Sequence, residues 1–399
     1  MEAWPVVRRY AGDGCRHIAM PVGGIGTGSI SLGGRGQLLD WELFNRPATG
    51  YTPDSFFCLR VDGPSGTHTR VLETALLDAE FEGHLGSATP LHGLPRFRSG
   101  ELAAAYPFGR ITMTDPELPI AATVGAFNPL VPGDATAGGI PALVYRLQIE
   151  NTSGEAVTVS VAGNLVGSSP QTAPEGESWG TIALAVLGGD VSSCCLTWAR
   201  RSWGGSLLDF WDDFSDDGQL DEPAEGARVP TGSLVVTRTL PAGASAEMTF
   251  VIAWHFPNRR GWSHTAAGPS NFSHSDDIVG NHYATLFADA ADVVRRLASR
   301  LPDLERRTID YVRTVTGSDL PVCVQDAVLS SVAVLKSTTC FRIADGGTFL
   351  GWEGSPTMAA ATAAAPTCGT TSTPSSSSSP TSPGRCVASS WSTRSTSAA

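Results

Sequence analysis

Between about residues 20 and 260 the apolar positions recur with a period of two, in short runs bounded by Gly, Pro, Asn and Asp. That pattern predicts β-strands. Ala142-Leu143-Val144-Tyr145-Arg146-Leu147-Gln148-Ile149 is one run, and Val157 to Val161 follows a turn at Asn151-Thr152-Ser153-Gly154. Ser233 to Thr237 and Met248 to Trp254 flank Pro241-Ala242-Gly243 in the same way. Both pairs read as hairpins of a large antiparallel two-sheet sandwich without helices. Near residue 280 the period changes. Leu286, Val293, Val294, Leu297 and Leu301 have helical spacing, and Pro302 should stop that helix. Further helices are expected from Leu304 to Val315 and from Val322 to Leu335. The fold class is therefore mainly β: an N-terminal antiparallel β-sandwich domain over 1–275, then the start of an all-α domain over 276–354.

Composition breaks after Gly354. Residues 356–399 hold none of the 39 Asp and Glu, and no Lys, Leu, Ile or Phe. A low-complexity, disordered tail over 355–399 is the plain reading. The genetic code offers another. Taking the last base of each codon with the first two of the next, Met358-Ala359 forces Gly, and Cys368-Gly369 allows only Trp or Arg. Pro356 to Thr371 is then compatible with D-D-G-G-C-H-G-S-C-T-H-V-W-N-Y, an ordinary globular sequence. A GC-rich gene fits the 27 basic residues, of which only Lys336 is a lysine. The tail is expected to be out of frame.

The net charge of −12 argues against nucleic acid or an anionic membrane surface as partner. No run approaches a membrane span, and the first residues do not form a signal peptide, so a cytoplasmic address is expected. The eight cysteines include no Cys-x-x-Cys, so neither a zinc site nor a disulfide framework is indicated, and no cofactor or metal is expected.

Candidate chemistry is sparse. Gly23-Gly24-Ile25-Gly26-Thr27-Gly28 resembles a phosphate loop, but strand-like Ser29-Ile30-Ser31-Leu32 follows where a helix should open. A tight turn or a close backbone approach is the expected role. Trp211-Asp212-Asp213-Phe214-Ser215-Asp216-Asp217-Gly218 reads as an acidic loop; its twelfth position counted from Asp213 is Ala224, not the Glu that a calcium hand requires. Trp211, Asp212 and Asp213 could still lie over a sugar. Asp40-Trp41-Glu42 sets two carboxylates beside an indole, and Trp41 is a further sugar-contact candidate. Asp40 and Glu42 are expected to share one strand face, paired structurally with Arg35 or Arg46. His255 is expected to be packed and hydrogen-bonded.

An ordered set of segments carries a family likeness: Met20-Pro21-Val22-Gly23-Gly24-Ile25-Gly26-Thr27-Gly28, Gly34-Arg35-Gly36-Gln37-Leu38, Tyr106-Pro107-Phe108-Gly109-Arg110 and Ala126-Phe127-Asn128-Pro129-Leu130-Val131-Pro132. It continues with Trp211-Asp212-Asp213-Phe214, Ala253-Trp254-His255-Phe256-Pro257-Asn258-Arg259, Leu335-Lys336-Ser337 and Gly351-Trp352-Glu353-Gly354. With these the chain resembles glycoside hydrolase family 116, of non-lysosomal glucosylceramidases and prokaryotic β-glucosidases. The resemblance implies a β-sandwich followed by the first helices of a truncated (α/α)6 toroid. It also implies retaining β-glycosidase chemistry with a Glu nucleophile and an Asp acid/base, acting on a β-glucoside or glycolipid. The nucleophile is expected in the block after W-N-Y, where this chain carries Thr371-Ser372, and the acid/base beyond Ala399. Neither maps onto a residue of this chain. Two other readings stand beside an enzyme inactive on its own: a non-catalytic carbohydrate- or partner-binding module, and a short enzyme using Glu42 or Asp212.

Overall fold

The computed structural model describes residues 4–81, 91–167, 172–264, 272–351 and 387–391. Two large sheets stack face to face. The eight-stranded sheet runs, in spatial order, Arg8–Ala11, Ser99–Ala105, Phe108–Thr114, Ile120–Phe127, Ala142–Asn151, Ser245–His255, Thr181–Leu187 and Val387–Trp391. All its pairings are antiparallel except the last, which is parallel. The six-stranded sheet runs Ser193–Cys195, Thr231–Leu240, Val157–Val166, Phe57–Gly63, Gly66–Thr74 and Arg96–Phe97. Ala19–Val22, Ser29–Gly33 and Leu38–Glu42 form a smaller three-stranded sheet.

The two-residue period sorts each strand onto two buried faces. Leu143, Tyr145, Leu147 and Ile149 meet Val159, Val161, Leu59 and Val61 in the core between the sheets. Phe57 stacks on Tyr145 there, with ring centroids 3.9 Å apart. The alternate positions, Ala142, Val144, Ala183, Ala185, Val251 and Ala253, face outward into a second core. A helix fills that face. The outer face of the six-stranded sheet is covered in turn through Cys58, Val71, Ala162 and Val235.

Neither predicted hairpin forms. Ala142–Asn151 and Val157–Val166 belong to different sheets, as do Thr231–Leu240 and Ser245–His255. Both connections are arches that carry the chain from one layer to the other, and Asn151 joins them. Its buried side-chain amide is shared among the carbonyls of Glu155 (2.7 Å), Leu240 and Pro241 (both 3.0 Å), and its Oδ1 accepts from the Ser153 amide at 2.9 Å. Turn chemistry alone cannot distinguish an arch from a hairpin; the buried amide between two turns does.

Four helices complete the described fold. α1 (Gly205–Asp217) covers the six-stranded sheet; α2 (Tyr283–Leu286), α3 (Ala290–Thr316) and α4 (Val322–Ser331) follow the strand Ser245–His255 in the chain. α1 replaces the predicted acidic loop: Leu207, Phe210, Trp211 and Phe214 have helical spacing and meet the sheet face. Gly218 ends it in a left-handed conformation (φ 77°), where a Cβ would lie 2.6 Å from Ser160 Oγ. Arg60, on the sheet, donates to the terminal carbonyls of Ser215 (3.0 Å) and Asp216 (2.8 Å), a cation at the negative end of the helix.

α3 also departs from the prediction. It is one helix running through Pro302, not two. It starts at a true N-cap, Asp289, whose side chain accepts from the Asp292 amide at 2.7 Å. Pro302 removes one internal hydrogen bond, but Leu297, Leu301, Leu304 and Val312 on both sides are buried in the outer core and keep the axis continuous. The third predicted helix is α4 with a 3-10 turn after it, Val332–Lys336.

Candidate functional site

The four sugar-contact candidates are not brought together. Trp41 is 1% exposed, inside the core between the sheets, with its Nε1–H donated to the Leu38 carbonyl at 3.3 Å. No ring face is open to a solute. Trp211, Asp212 and Asp213 lie on α1, on the opposite outer layer. Trp211 packs half-buried against the sheet, and Asp212 is exposed. Asp213 Oδ2 accepts from the Asp221 amide at 3.0 Å. Burial raises the Asp213 carboxyl above its ordinary value against the lowering pull of the Asp221 amide bond, and the negative charges of Asp221, Asp217 and Asp216 add to the rise.

Asp40 and Glu42 hold a loop, not an arginine. Asp40 accepts from the Gly50 amide at 2.6 Å, and Glu42 Oε1 from the Ala48 amide at 2.9 Å. Asp40 adopts φ 49°, a left-handed conformation that an Asp accepts when its side chain is held locally. Arg35 pairs instead with Glu73 (3.2 Å) and Glu80 (2.9 Å), and Arg96 shares Glu73 at 3.1 Å. The carboxylates hold the backbone of a turn close by in sequence, while the partners of Arg35 lie far along the chain.

The motif segments do converge elsewhere, on one seam between the sandwich and residues 281–342. The glycine turn is its centre. Gly26 (φ 70°) sits against the backbone of Phe341 and Arg342, where a Cβ would be 3.0 Å from the Arg342 amide nitrogen. Its own amide donates to the Leu335 carbonyl at 3.2 Å. Ser29–Gly33 after the turn is a strand, so the glycines serve close backbone approach, with no helix behind them to hold a phosphate. Trp254 donates its Nε1–H to the Thr27 carbonyl at 2.7 Å, and Tyr106 OH donates to the Pro21 carbonyl at 3.0 Å.

Lys336 closes the seam. It is completely buried, and its Nζ donates to Asn128 Oδ1 (2.7 Å), the Pro129 carbonyl (2.8 Å) and the Asn128 carbonyl (3.1 Å). Burial pulls the ammonium well below its ordinary value, while three oxygens match its three donors. Elsewhere in the seam, Asn281 donates to Asn45 Oδ1 at 2.5 Å and the Phe256 carbonyl at 2.8 Å, and accepts from Arg259 Nε at 3.1 Å. Arg259 lies 4.1 Å over the Phe341 ring. His255 is buried, its Nε2 2.9 Å from the Phe287 carbonyl, and burial lowers its pKa from the usual 6.5.

These contacts join segments distant in sequence, most of them within the ordered motif set. A family model described as beta-glucosidase 2, glycosyl-hydrolase family 116 N-term, matches residues 19–179 and 162–304, well over half of the chain. The chain belongs to glycosyl-hydrolase family 116, through its N-terminal domain. The match covers most of both sheets of this family 116 sandwich and the first part of α3.

Beside the seam lies a small cleft lined by Ile25, Thr27, Thr136, His282, Tyr283 and Arg342, among others. No carboxylate is among its lining residues. A retaining glycosidase needs two, roughly 5–5.5 Å apart. The cleft is therefore not built for a two-carboxylate glycoside hydrolysis. Sequence reading missed His282 and Arg342, which stand outside the quoted motifs. Lys336 carried one signal: it is the chain's sole lysine, set in an apolar stretch.

Proposed function

We propose that this chain is the sandwich part of a retaining β-glucosidase or glucosylceramidase that acts on a β-glucoside or glycolipid in the cytoplasm, and that on its own it does not turn substrate over. Its role in the intact enzyme is to clasp the first helices of an (α/α)6 catalytic domain. The observation that carries this reading is the seam: Lys336, Asn281 and the glycine turn bind residues 281–342 to the sandwich with buried polar contacts. The outer surface beyond it supports the same reading. Val322, Val324, Val328, Val334 and Leu335 are exposed on α4 and the turn after it, an apolar face of the kind a further helix layer would cover. The Glu nucleophile would stand in the block where this chain carries Thr371-Ser372, and neither it nor the Asp acid/base maps onto a residue of this chain.

The test is to sequence the genomic DNA across the codons for Glu353 to Thr371. The reading expects a single insertion or deletion whose correction restores C-T-H-V-W-N-Y. An intact frame would reject the out-of-frame tail. Separately, the purified chain should release no aglycone from an aryl β-glucoside. Turnover abolished by Glu42→Gln would instead favour a short enzyme; Glu42, already accepting from Ala48 and Thr338, is poorly free for it.

One observation favours a carbohydrate-binding module as second reading. Trp203, just before α1, is fully exposed with φ 58°. Among the described residues it offers an open indole face for stacking on a pyranose, which Trp41 and Trp211 do not. Saturable quenching of tryptophan fluorescence by a β-gluco-oligosaccharide, lost in Trp203→Ala, would support it.

A further inference from the structure

The cleft beside the glycine turn holds polar groups that the fold itself does not use. Thr27 is only 6% exposed, yet its Oγ1 has no hydrogen-bond partner. The Nδ1 of His282 is likewise buried without one. Most buried polar atoms in folded proteins are satisfied, so two orphans lining one cleft leave hydrogen-bonding capacity that a bound solute or water can take up. Arg342 adds a guanidinium. Its Nε donates to the Gly347 carbonyl at 3.3 Å, and among the described residues it forms no ion pair.

The local backbone is shaped around these groups. Gly347 sits at φ 81°, where a Cβ would lie 2.7 Å from Arg342 Nη2 and 3.0 Å from His282 Nδ1. On the other wall, a Cβ on Gly24 would be 2.6 Å from Thr27 Oγ1. Each glycine leaves the room that the functional atoms occupy. Burial, and after it the charge of Arg342, lowers the pKa of His282, and burial lowers that of Arg342. Both groups thus lack the negative charge that would settle them.

We propose that this cleft binds a small tetrahedral oxyanion of the phosphate or sulfate class. Arg342 supplies the charge-assisted hydrogen bonds, the Nδ1–H tautomer of His282 a second donor, and the Thr27 hydroxyl a third. A cation is disfavoured by the guanidinium, and an apolar ligand would leave the three polar groups unpaired. The site is independent of the glycosidase reading, since it uses no catalytic carboxylate.

The test is calorimetric titration of the full chain with inorganic phosphate and, separately, with sulfate, at constant ionic strength with chloride as the balancing anion. One saturable site is expected. Arg342→Gln should weaken it about ten- to a hundredfold, as loss of a charge-assisted bond would. Thr27→Val, which keeps the shape and removes the hydroxyl, should weaken it about threefold to tenfold. Arg342→Lys keeps charge without the planar fork and should also bind more weakly, which preserves the test if the Gln variant does not fold. Absence of saturable heat with either anion, or affinity unchanged in both Thr27→Val and the arginine variant, would overturn the proposal.

Discussion

α3 and α4 are neighbours in the chain but have opposite fates. α3 lies on the eight-stranded sheet and buries Val293, Val294, Leu297, Leu301, Leu304, Ile309 and Val312. It also buries a charge. Glu305 takes both Nη groups of Arg146, at 2.6 and 2.8 Å, and the indole N–H of Trp4 at 2.9 Å. Thr308 accepts from the Leu130 amide at 3.0 Å. α4 buries only Gln325 and Leu329, and it leaves Val322, Val324 and Val328 in solvent. The difference is one of partners, not of helix-forming residues. α3 completes a packed layer of the sandwich. α4 is anchored behind it by the Lys336 turn and Gln325, which donates to the carbonyls of Ser318 (3.1 Å) and Leu320 (3.0 Å). α3 closes the outer layer of the sandwich; α4 presents an uncovered apolar surface, and the chain packs back onto the sandwich from Leu335 and Lys336 onward.

The contrast is broken most visibly at Glu305. Glu305→Ala leaves Arg146 buried without its partner, and about 3–5 kcal/mol of stability should be lost in chemical denaturation. A loss below about 1 kcal/mol would mean that α3 is no more committed to the sheet than α4. Lys336→Met comes next. It strands three acceptors in a buried site and should cost about 2–4 kcal/mol, read as faster proteolytic cleavage between Thr316 and Val322 while the sandwich stays resistant.

Acid should loosen the α3 side gently. The folded pKa of His255 lies below its ordinary 6.5, so the unfolded chain binds more protons as pH falls past that value. Stability should be flat above about pH 6.5 and decline below it, by at most about 1.4 kcal/mol per pH unit from this group. Asp292 adds a later loss. Burial alone would raise its carboxyl, but the bonds from Arg296 and the Ala288 amide outweigh that and hold it below 3.8; its contribution disappears as pH falls through and below that value. His255→Gln should flatten the first decline in a pH series of denaturant midpoints. The smallest effect belongs to α4. Val324→Ser with Val328→Ser should change stability by no more than about 0.5 kcal/mol for each substitution and should reduce self-association in sedimentation. A large destabilisation would show that the valines already have partners.

The two-residue period made the sandwich legible, because most strands are buried on both sides and bounded by turn residues. It could not assign strands to sheets. The Asn151 turn reads as a hairpin until its amide is seen serving two connections. α1 was hidden by its acidic residues, although Phe210, Trp211 and Phe214 had the right spacing. Pro302 pointed to a break that tertiary packing overrides. Of the candidate site, two features were read as the structure has them: the glycine turn, since the strand after it excludes a phosphate loop locally, and the packed, hydrogen-bonded His255. The burial of Trp41 depends on how distant strands pack around it, and Asp40 and Glu42 are taken up by backbone amides of the turn at 48–50, which side-chain pattern does not report. The seam was present in sequence as scattered segments whose common location only the fold supplies.

Native-state hydrogen exchange of the backbone amides tests the central contrast most directly. The amides of α3 from Val293 to Val312 should exchange only through global unfolding, with the same denaturant dependence as Ala142–Asn151. Those of α4 should exchange through a local opening several kcal/mol lower. Equal protection of α3 and α4 would contradict the account, because α4 would then already belong to the sandwich's cooperative unit and its apolar face would need no further layer.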